Sequence, residues 1–198
     1  MNILYSSVKK LKSEDSIAFL LILLLPAALI SGPFLSDLII SICALIFILK
    51  NFKEKNLMLN LNKKYLGESI ILWIFFLVII LSLVNSNIFF NSLLPSLFYF
   101  RFILFTFMIL YLFSITEDLF PFLTLSLILV FSILFIDSLI QLFFGKNMFL
   151  QYYSMDTNLK IISSFFGDEK KLGSFVSRLL PLVISMLIFS NISYLNKY

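Results

Sequence analysis

Residues 16–49 read SIAFLLILLLPAALISGPFLSDLIISICALIFIL, and this stretch decides the fold. It contains two apolar runs, 16–32 and 34–49, that are separated only by a Ser-Gly-Pro turn at 31–33. Each run approaches the length of about 20 residues that an α-helix needs to cross a bilayer. The turn residues indicate a tight connection between the two helices. The stretch therefore predicts a transmembrane helical hairpin.

The composition of the whole chain supports a membrane environment. Of the 198 residues, 61% are hydrophobic and 13% are charged, and the mean hydropathy is +1.04. A soluble domain usually has about 25% charged residues, so this chain cannot cover a core with a charged surface. Helices in lipid satisfy their backbone polar groups internally. The net charge of +4 is too small and too scattered for a nucleic-acid partner.

The same length criterion predicts further spans along the chain. We expect an all-α, polytopic transmembrane helix bundle that forms a single membrane domain over 1–198. A second span follows the first at once, which favours a retained anchor over a cleaved signal peptide. The predicted spans are 16–32, 34–49, 69–86, 97–115, 119–143 and 173–195, with a long loop at 145–172.

Lysines in the short loops predict the orientation, because cytoplasmic loops are rich in Lys and Arg. One cluster precedes the first span and another follows the second. The segment between Asn85 and Pro95 has no charge and is expected outside. Six spans place both termini in the cytoplasm and loop 145–172 outside. Segment 51–66, with leucines among its lysines, is expected to lie on the inner surface of the membrane. The lysines are Lys9, Lys10, Lys12, Lys50, Lys53, Lys55, Lys63 and Lys64.

Charged residues within predicted spans are candidates for function, because they are costly in lipid. There are four of them, Asp37, Arg101, Asp137 and Arg178, and the predicted orientation places all four in the outer half of the membrane. Asp137 and Gln141 are four residues apart, so they share one helix face. The alternative is structural, with side chains that reach lipid headgroups or form Asp–Arg pairs between helices.

The residue inventory limits the chemistry. The chain has no histidine, which removes the commonest general base and metal ligand. Its one cysteine, Cys43, stands in an apolar run, where a small hydrophobic residue of the core is expected. We therefore predict no disulfide and no metal site.

Loop 145–172 carries a basic excess, although it is predicted to lie outside. This excess suits an anionic ligand such as a lipid-linked pyrophosphate, and it equally suits the headgroups of membrane lipid. Its charged residues are Lys146, Lys160, Lys170, Lys171, Asp156, Asp168 and Glu169.

The segment that follows has a recognisable pattern. Residues 163–181 read SSFFGDEKKLGSFVSRLLP, in which Gly167 and Gly173 flank an acidic-basic cluster. Gly173 and Ser174 are typical of a helix N-terminus, which favours anions. This segment resembles the O-antigen ligase and polymerase superfamily of bacterial envelope proteins. The stretches 135–150 (FIDSLIQLFFGKNMFL) and 98–111 (FYFRFILFTFMILY) resemble the same family.

The resemblance implies glycosyl transfer at the outer face of the bacterial inner membrane. The donor would be a polyprenyl-pyrophosphate-linked glycan, and no metal, nucleotide or other cofactor is needed. The residues implied for diphosphate binding are Arg101, Arg178 and Lys160. Those implied for acceptor deprotonation are Asp168 and Glu169. Supporting polar roles fall to Asp37, Asp137 and Gln141.

The resemblance covers about half of this chain and corresponds to the N-terminal half of the family. Family members have further spans and an external loop with Arg and His residues, so a complete site would need a C-terminal half or a partner subunit. Ile161 stands where the family usually has a basic residue, with Lys160 beside it. Two other functions stay open, a small transporter or channel and a scaffold subunit without catalysis.

Overall fold

The computed structural model of the chain is built almost wholly of α-helices, and the predicted all-α fold is confirmed. Contacts divide the chain into two compact units, a division that the sequence pattern did not indicate. The first unit is Met1–Leu21 with Asp37–Glu117, and the second is Ile22–Ser36 with Asp118–Tyr198. The residues that the structure describes are 11–83, 89–116, 119–146, 148, 154–156, 159–166 and 171–195.

The helices of the described residues follow one another along the chain, with one long connection between the last two. They are α1 (Ser13–Ser31), α2 (Pro33–Lys53), α3 (Leu57–Lys64), α4 (Leu66–Ser82), α5 (Phe89–Phe98), α6 (Phe100–Ile115), α7 (Leu119–Phe144) and α8 (Leu172–Leu195). Between α7 and α8 lie an antiparallel strand pair, β1 (Ser154–Asp156) and β2 (Leu159–Ile161), and a 3-10 turn at Ser164–Phe166.

The predicted turn between the first two helices is present. Gly32 has a φ of +130°, a conformation that residues with a side chain rarely adopt. Pro33 then opens α2, where its missing N–H would have no partner within the helix anyway. Ser31 donates its hydroxyl to the carbonyl of Ala28, which satisfies one of the last acceptors of α1. A Ser-Gly-Pro sequence therefore ends one helix and begins the next.

Within the described residues, four helical stretches are long and apolar enough to cross a membrane. They are α1, α2, α7 and the Phe89–Ile115 stretch, which is α5 and α6 together. The pair α3 and α4 is bent by 109° and would be a fifth span if counted as one. Helix α8 contains a shorter apolar segment, Leu172–Ile188. These helices suit a membrane protein, and the count of six spans stays a prediction.

Residues 89–98 differ from the prediction, because they form helix α5 where a loop was expected up to Pro95. Pro95 lies inside the helix, where its ring removes a single backbone hydrogen bond. None of the α5 residues is buried, and the aromatic and leucine side chains of this segment form an apolar surface that suits a lipid environment. Tyr99 then separates α5 from α6, and its N–H bonds to the carbonyl of Ser96.

Segment 51–66, which was expected at the inner surface of the membrane, contains the short helix α3 and a sharp turn into α4. Asn56 precedes α3 with a φ of +74°. The side chain of Asn51 accepts a hydrogen bond from the N–H of Met58 at 3.0 Å, which ties α3 to the end of α2. Leu61 of α3 is buried. The segment is therefore folded against the first unit, and its depth in a membrane stays a prediction.

The core of the first unit joins α2 to α6. Phe47 and Phe107 stack with ring centroids 5.9 Å apart, and neither side chain is exposed. Cys43 is buried on the same face of α2, one helical turn away, where a small side chain was expected. This apolar layer places the end of α2 beside α6, where the most deeply buried charges of the unit lie.

Those charges are Asp15 of α1 and Lys50 of α2, which form an ion pair and are each only 2% exposed. The Lys50 ammonium also lies 4.1 Å from the centre of the Tyr111 ring of α6, a favourable cation–π contact. The sequence pattern counted Lys50 as a loop charge, and the structure shows that it is a core residue. The sequence did contain a signal for this pairing. Asp15 and Lys50 are almost equally distant from Gly32 along the chain, so a hairpin that turns at Gly32 brings them to the same end.

The second unit has its core between α7 and α8. Leu127 of α7 packs with Val183 and Met186 of α8, and phenylalanines of α7 surround them. The hydroxyl of Ser126 donates to the carbonyl of Leu23 in α1 at 2.6 Å, which joins α1 to α7 through a partly buried polar contact. Helix α7 is therefore packed on both α1 and α8.

The opposite face of α7 is apolar and uncovered. Such a row of large apolar side chains is unfavourable in water and is expected where lipid is the solvent. Its exposed residues are Leu125, Leu129, Ile133, Phe135 and Ile136.

We expect Asp15→Asn to destabilise the protein, because it leaves the Lys50 ammonium buried without a counter-charge. Breaking a buried ion pair costs about 3–5 kcal/mol. The measurement is unfolding in mixed micelles, titrated with a denaturing detergent and followed by circular dichroism. Glu14→Gln is the matched control, since Glu14 pairs with Lys53 at an exposed position, and it should change stability little. Equal losses in the two variants would contradict the role of the buried pair.

Candidate functional site

Two buried polar side chains at the end of α7 organise the second unit. Asp137 and Gln141 are both fully buried, and both contact the turn at 163–164. They therefore lie on one helix face, as their spacing of four residues predicts. Their partners are groups of the chain itself, so both side chains have a structural task.

Gln141 holds the backbone of this turn. Its Oε1 accepts hydrogen bonds from the N–H groups of Ser163 at 3.0 Å and Ser164 at 2.8 Å. Asp137 holds the Ser164 side chain of the turn, because the Ser164 hydroxyl donates a hydrogen bond to Asp137 Oδ2 at 2.5 Å. The other carboxylate oxygen accepts the N–H of Met148 at 2.8 Å. Ser164 itself has a φ of +51°, a conformation that these contacts stabilise.

The turn positions an aromatic ring against α8. Directly after Ser164, the 3-10 turn brings Phe166 to Phe175, with ring centroids 5.2 Å apart. Phe175 also stacks on Phe131 of α7 at 6.4 Å. The contacts of Asp137 and Gln141 therefore fix the start of α8 through this row of three rings.

A cavity of about 580 Å³ opens beside these rings in the second unit. Four residues of α8 line it, Ser174, Phe175, Arg178 and Leu179, together with Phe166 and with Lys171, which directly precedes α8. Counted from Lys171, the α8 residues stand at i+3, i+4, i+7 and i+8, which places them on one face of the helix. The opposite wall is formed by the hairpin turn between α1 and α2, with Leu29, Ile30, Gly32, Pro33 and Ser36.

The polar side of this cavity is cationic. Arg178 is exposed, and among the described residues no carboxylate forms an ion pair with it. Lys171 stands at the beginning of α8, where the first N–H groups have no partner within the helix. Such a terminus carries a partial positive charge. The cavity thus combines two cationic side chains and a helix terminus with walls of aromatic and aliphatic side chains.

The first unit contains a second cluster of predicted residues. Arg101 donates from Nη2 to Asp37 Oδ2 at 2.8 Å and from Nη1 to the hydroxyl of Ser41 at 3.4 Å. The Asp–Arg pair between helices that the sequence suggested as a structural alternative is therefore present. A cavity of about 550 Å³ lies at this pair. Diphosphate binding by Arg101 stays a prediction, and the guanidinium already has a carboxylate partner.

Three of the predicted site residues have side chains outside the described part of the structure. Lys160 is on β2, opposite Met155 of β1, and its side chain is outside the described part. Asp168 and Glu169 lie outside the described residues altogether. Their proposed part in acceptor deprotonation stays a prediction.

Lys171 is the cavity residue that sequence reasoning missed as a site residue. It was counted only as one of several basic residues in loop 145–172. The signal was its distance from Arg178, because residues seven apart lie two turns apart on one helix face. A helix predicted to begin near Lys171 rather than at Gly173 would have placed Lys171 and Arg178 on one face.

No known protein family, curated protein or solved structure matches this chain. The resemblance to O-antigen ligases and polymerases therefore stays a prediction.

We expect Gln141→Met to loosen the turn at 163–164, because methionine has a similar length and cannot accept the two N–H groups. Each buried donor without a partner costs about 1–3 kcal/mol. Hydrogen exchange followed by mass spectrometry should show faster exchange in the peptide that contains Ser163 and Ser164. Ser132→Ala is the control on the same helix, since within the described part of the chain its hydroxyl bonds only to the carbonyl of Ile128. Unchanged protection in Gln141→Met would contradict this role.

Proposed function

We propose that this chain is a multi-pass protein of the bacterial inner membrane that takes part in transferring a polyprenyl-pyrophosphate-linked glycan at the outer membrane face. The observation that carries the proposal is the cavity beside α8. Its lining includes Arg178 and Lys171 together with Phe166, Phe175 and Leu179. A ligand that joins a diphosphate to a long hydrocarbon chain needs both kinds of surface in one place.

Arg178 is the principal contact in this proposal. A guanidinium presents several N–H donors in a planar fork, which matches two phosphate oxygens at once. Lys171, seven residues earlier on the same face, adds a point charge, and the N-terminus of α8 adds backbone donors. The aromatic pair Phe166 and Phe175 and the residue Leu179 would contact the first isoprene units. The chain's own groups can therefore hold the diphosphate without a metal.

The proposal also needs a topology. We propose six spans, with both termini in the cytoplasm and loop 145–172 outside. Apolar helices of spanning length support part of this count. The lysines before α1 and around α3 support the orientation. In this arrangement the start of α8 and the cavity beside it face the outer side.

Arg178→Lys tests the proposal, because lysine keeps the charge and loses the planar fork. In cells that carry the substitution on the chromosome, we expect glycan transfer to the surface to fall about tenfold or more, a loss of one strong contact. Membrane insertion, followed by cell fractionation, should not change. Ser177→Ala is the matched control, since the Ser177 hydroxyl is exposed and, among the residues that the structure describes, bonds only to the carbonyl of Ser174. Normal surface glycan in both Arg178→Lys and Arg178→Ala would overturn the proposal.

The orientation has its own test, for which the single cysteine is useful. In a Cys43→Ala background, cysteine replaces Ser154 in loop 145–172 or Asn60 in α3. A maleimide that cannot cross membranes should label the variant at 154 in spheroplasts. It should label the variant at 60 only after lysis, because three spans separate the two positions. Labelling of both on the same side would show that the span count between them is wrong.

A further inference from the structure

The cavity of the first unit has no part in the function proposed above. Its lining consists of Asp37, Pro95, Phe98, Tyr99, Arg101 and Phe102. Its volume of about 550 Å³ falls in the range of small-molecule sites. Aromatic side chains form most of the wall, and one ion pair forms the polar part.

The ion pair has no net charge, and it keeps hydrogen-bonding capacity. The Asp37 carboxylate uses Oδ2 for Arg101, and among the described residues no hydrogen bond reaches its Oδ1. The guanidinium has five N–H donors and uses only two of them toward Asp37 and Ser41. Its Nε is buried and has no acceptor within the described part of the chain. Within the described part of the chain, the pair therefore keeps one carboxylate oxygen without a donor, and the two terminal guanidinium nitrogens keep N–H groups without an acceptor.

The side chains are accessible as well. The Asp37 side chain is 49% exposed and that of Arg101 is 29% exposed. Tyr99 and Phe102 contact each other with centroids 5.5 Å apart, and the Arg101 guanidinium lies 5.1 Å from the Phe102 ring. The aromatic rings thus flank an ion pair that has no net charge and can both donate and accept hydrogen bonds.

We propose that this cavity binds a sugar ring. Neighbouring hydroxyls of a sugar both donate and accept, so they can bond to the free oxygen of Asp37 and to the guanidinium without breaking the pair. The C–H face of the ring carries a partial positive charge, which the negative face of an aromatic ring attracts. A sugar therefore matches every kind of group in the lining.

Other ligands match the lining less well. A phosphate or diphosphate has only acceptors and a negative charge, so it would be repelled by the half-exposed carboxylate of Asp37. A zwitterionic lipid headgroup could place its ammonium at Asp37 and its phosphate at Arg101, but it would have to separate the existing pair. The sugar needs no such separation.

The inference deepens the proposed function and rests on it for the source of the sugar. A glycan donor or acceptor carries many such rings, and this cavity would hold one of them. Asp37 and Arg101 are then binding residues for carbohydrate rather than for the diphosphate. The two cavities belong to different units, so variants of one can serve as controls for the other.

The chain contains a built-in reporter for binding. Trp73 is the single tryptophan, and its ring centroid lies 6.2 Å from that of Phe100, the residue before Arg101. The full chain is reconstituted in nanodiscs of phosphatidylglycerol, which contain no sugar detergent. The tryptophan emission is then titrated with glucose, galactose, mannose and N-acetylglucosamine, and separately with sodium pyrophosphate.

We expect a saturable change of Trp73 emission with at least one of these sugars and none with pyrophosphate. The double variant Asp37→Leu with Arg101→Met should weaken sugar binding about tenfold or more, a loss of two polar contacts. Phe98→Ala removes an exposed aromatic ring from the cavity wall and should also weaken sugar binding. Because Phe98 lies outside the core, the test does not depend on folding of the double variant. Arg178→Lys should bind sugar normally.

Three results would overturn the inference. They are no response to any of the sugars, a pyrophosphate response that the double variant loses, and a response to added phosphatidylethanolamine in place of sugar. The two proposals can also be separated. If the chain binds sugar while the Arg178 variants keep normal surface glycan, the proposed diphosphate site beside α8 is wrong and the sugar site is retained.

Discussion

A polar side chain on an apolar helix has to find its partner within the protein, because lipid offers neither donors nor acceptors. Both units of this chain follow that constraint. Asp15 forms an ion pair with Lys50, and Arg101 forms one with Asp37. Gln141 accepts hydrogen bonds from the backbone N–H groups of Ser163 and Ser164. These contacts link segments far apart in the chain, so they fix which helices can be neighbours and leave apolar packing to fill the space between them.

The same constraint separates structural charges from candidate binding charges. The pair of Asp15 and Lys50 is closed to solvent, and its charges already neutralise each other. The cavity beside α8 has a different character, since its cations line open space next to apolar walls. The Asp37–Arg101 pair is intermediate, because it is neutral and still accessible. The proposed ligands differ accordingly. We propose none for the closed pair, an anion with a hydrocarbon chain for the cavity beside α8, and an uncharged polyol for the accessible pair.

The apolar runs predicted most helices to within a few residues, because a helix of spanning length has a composition that loops do not share. The common face of Asp137 and Gln141 also followed from spacing alone. The charge of Lys50 could not be placed in the core by counting loop lysines, since that count ignores what lies opposite each residue in a hairpin. The helix at 89–98 was missed for a similar reason, because Asn, Ser and Pro were read as loop residues although the rest of the segment is apolar.

The contact between Asp15 and Lys50 also bears on how the chain enters a membrane. The two residues are 35 positions apart, so the carboxylate leaves the ribosome well before its cation. Until α2 has been made, Asp15 at the beginning of α1 has no Lys50 to pair with. The buried ion pair therefore becomes possible only when both helices of the hairpin are present.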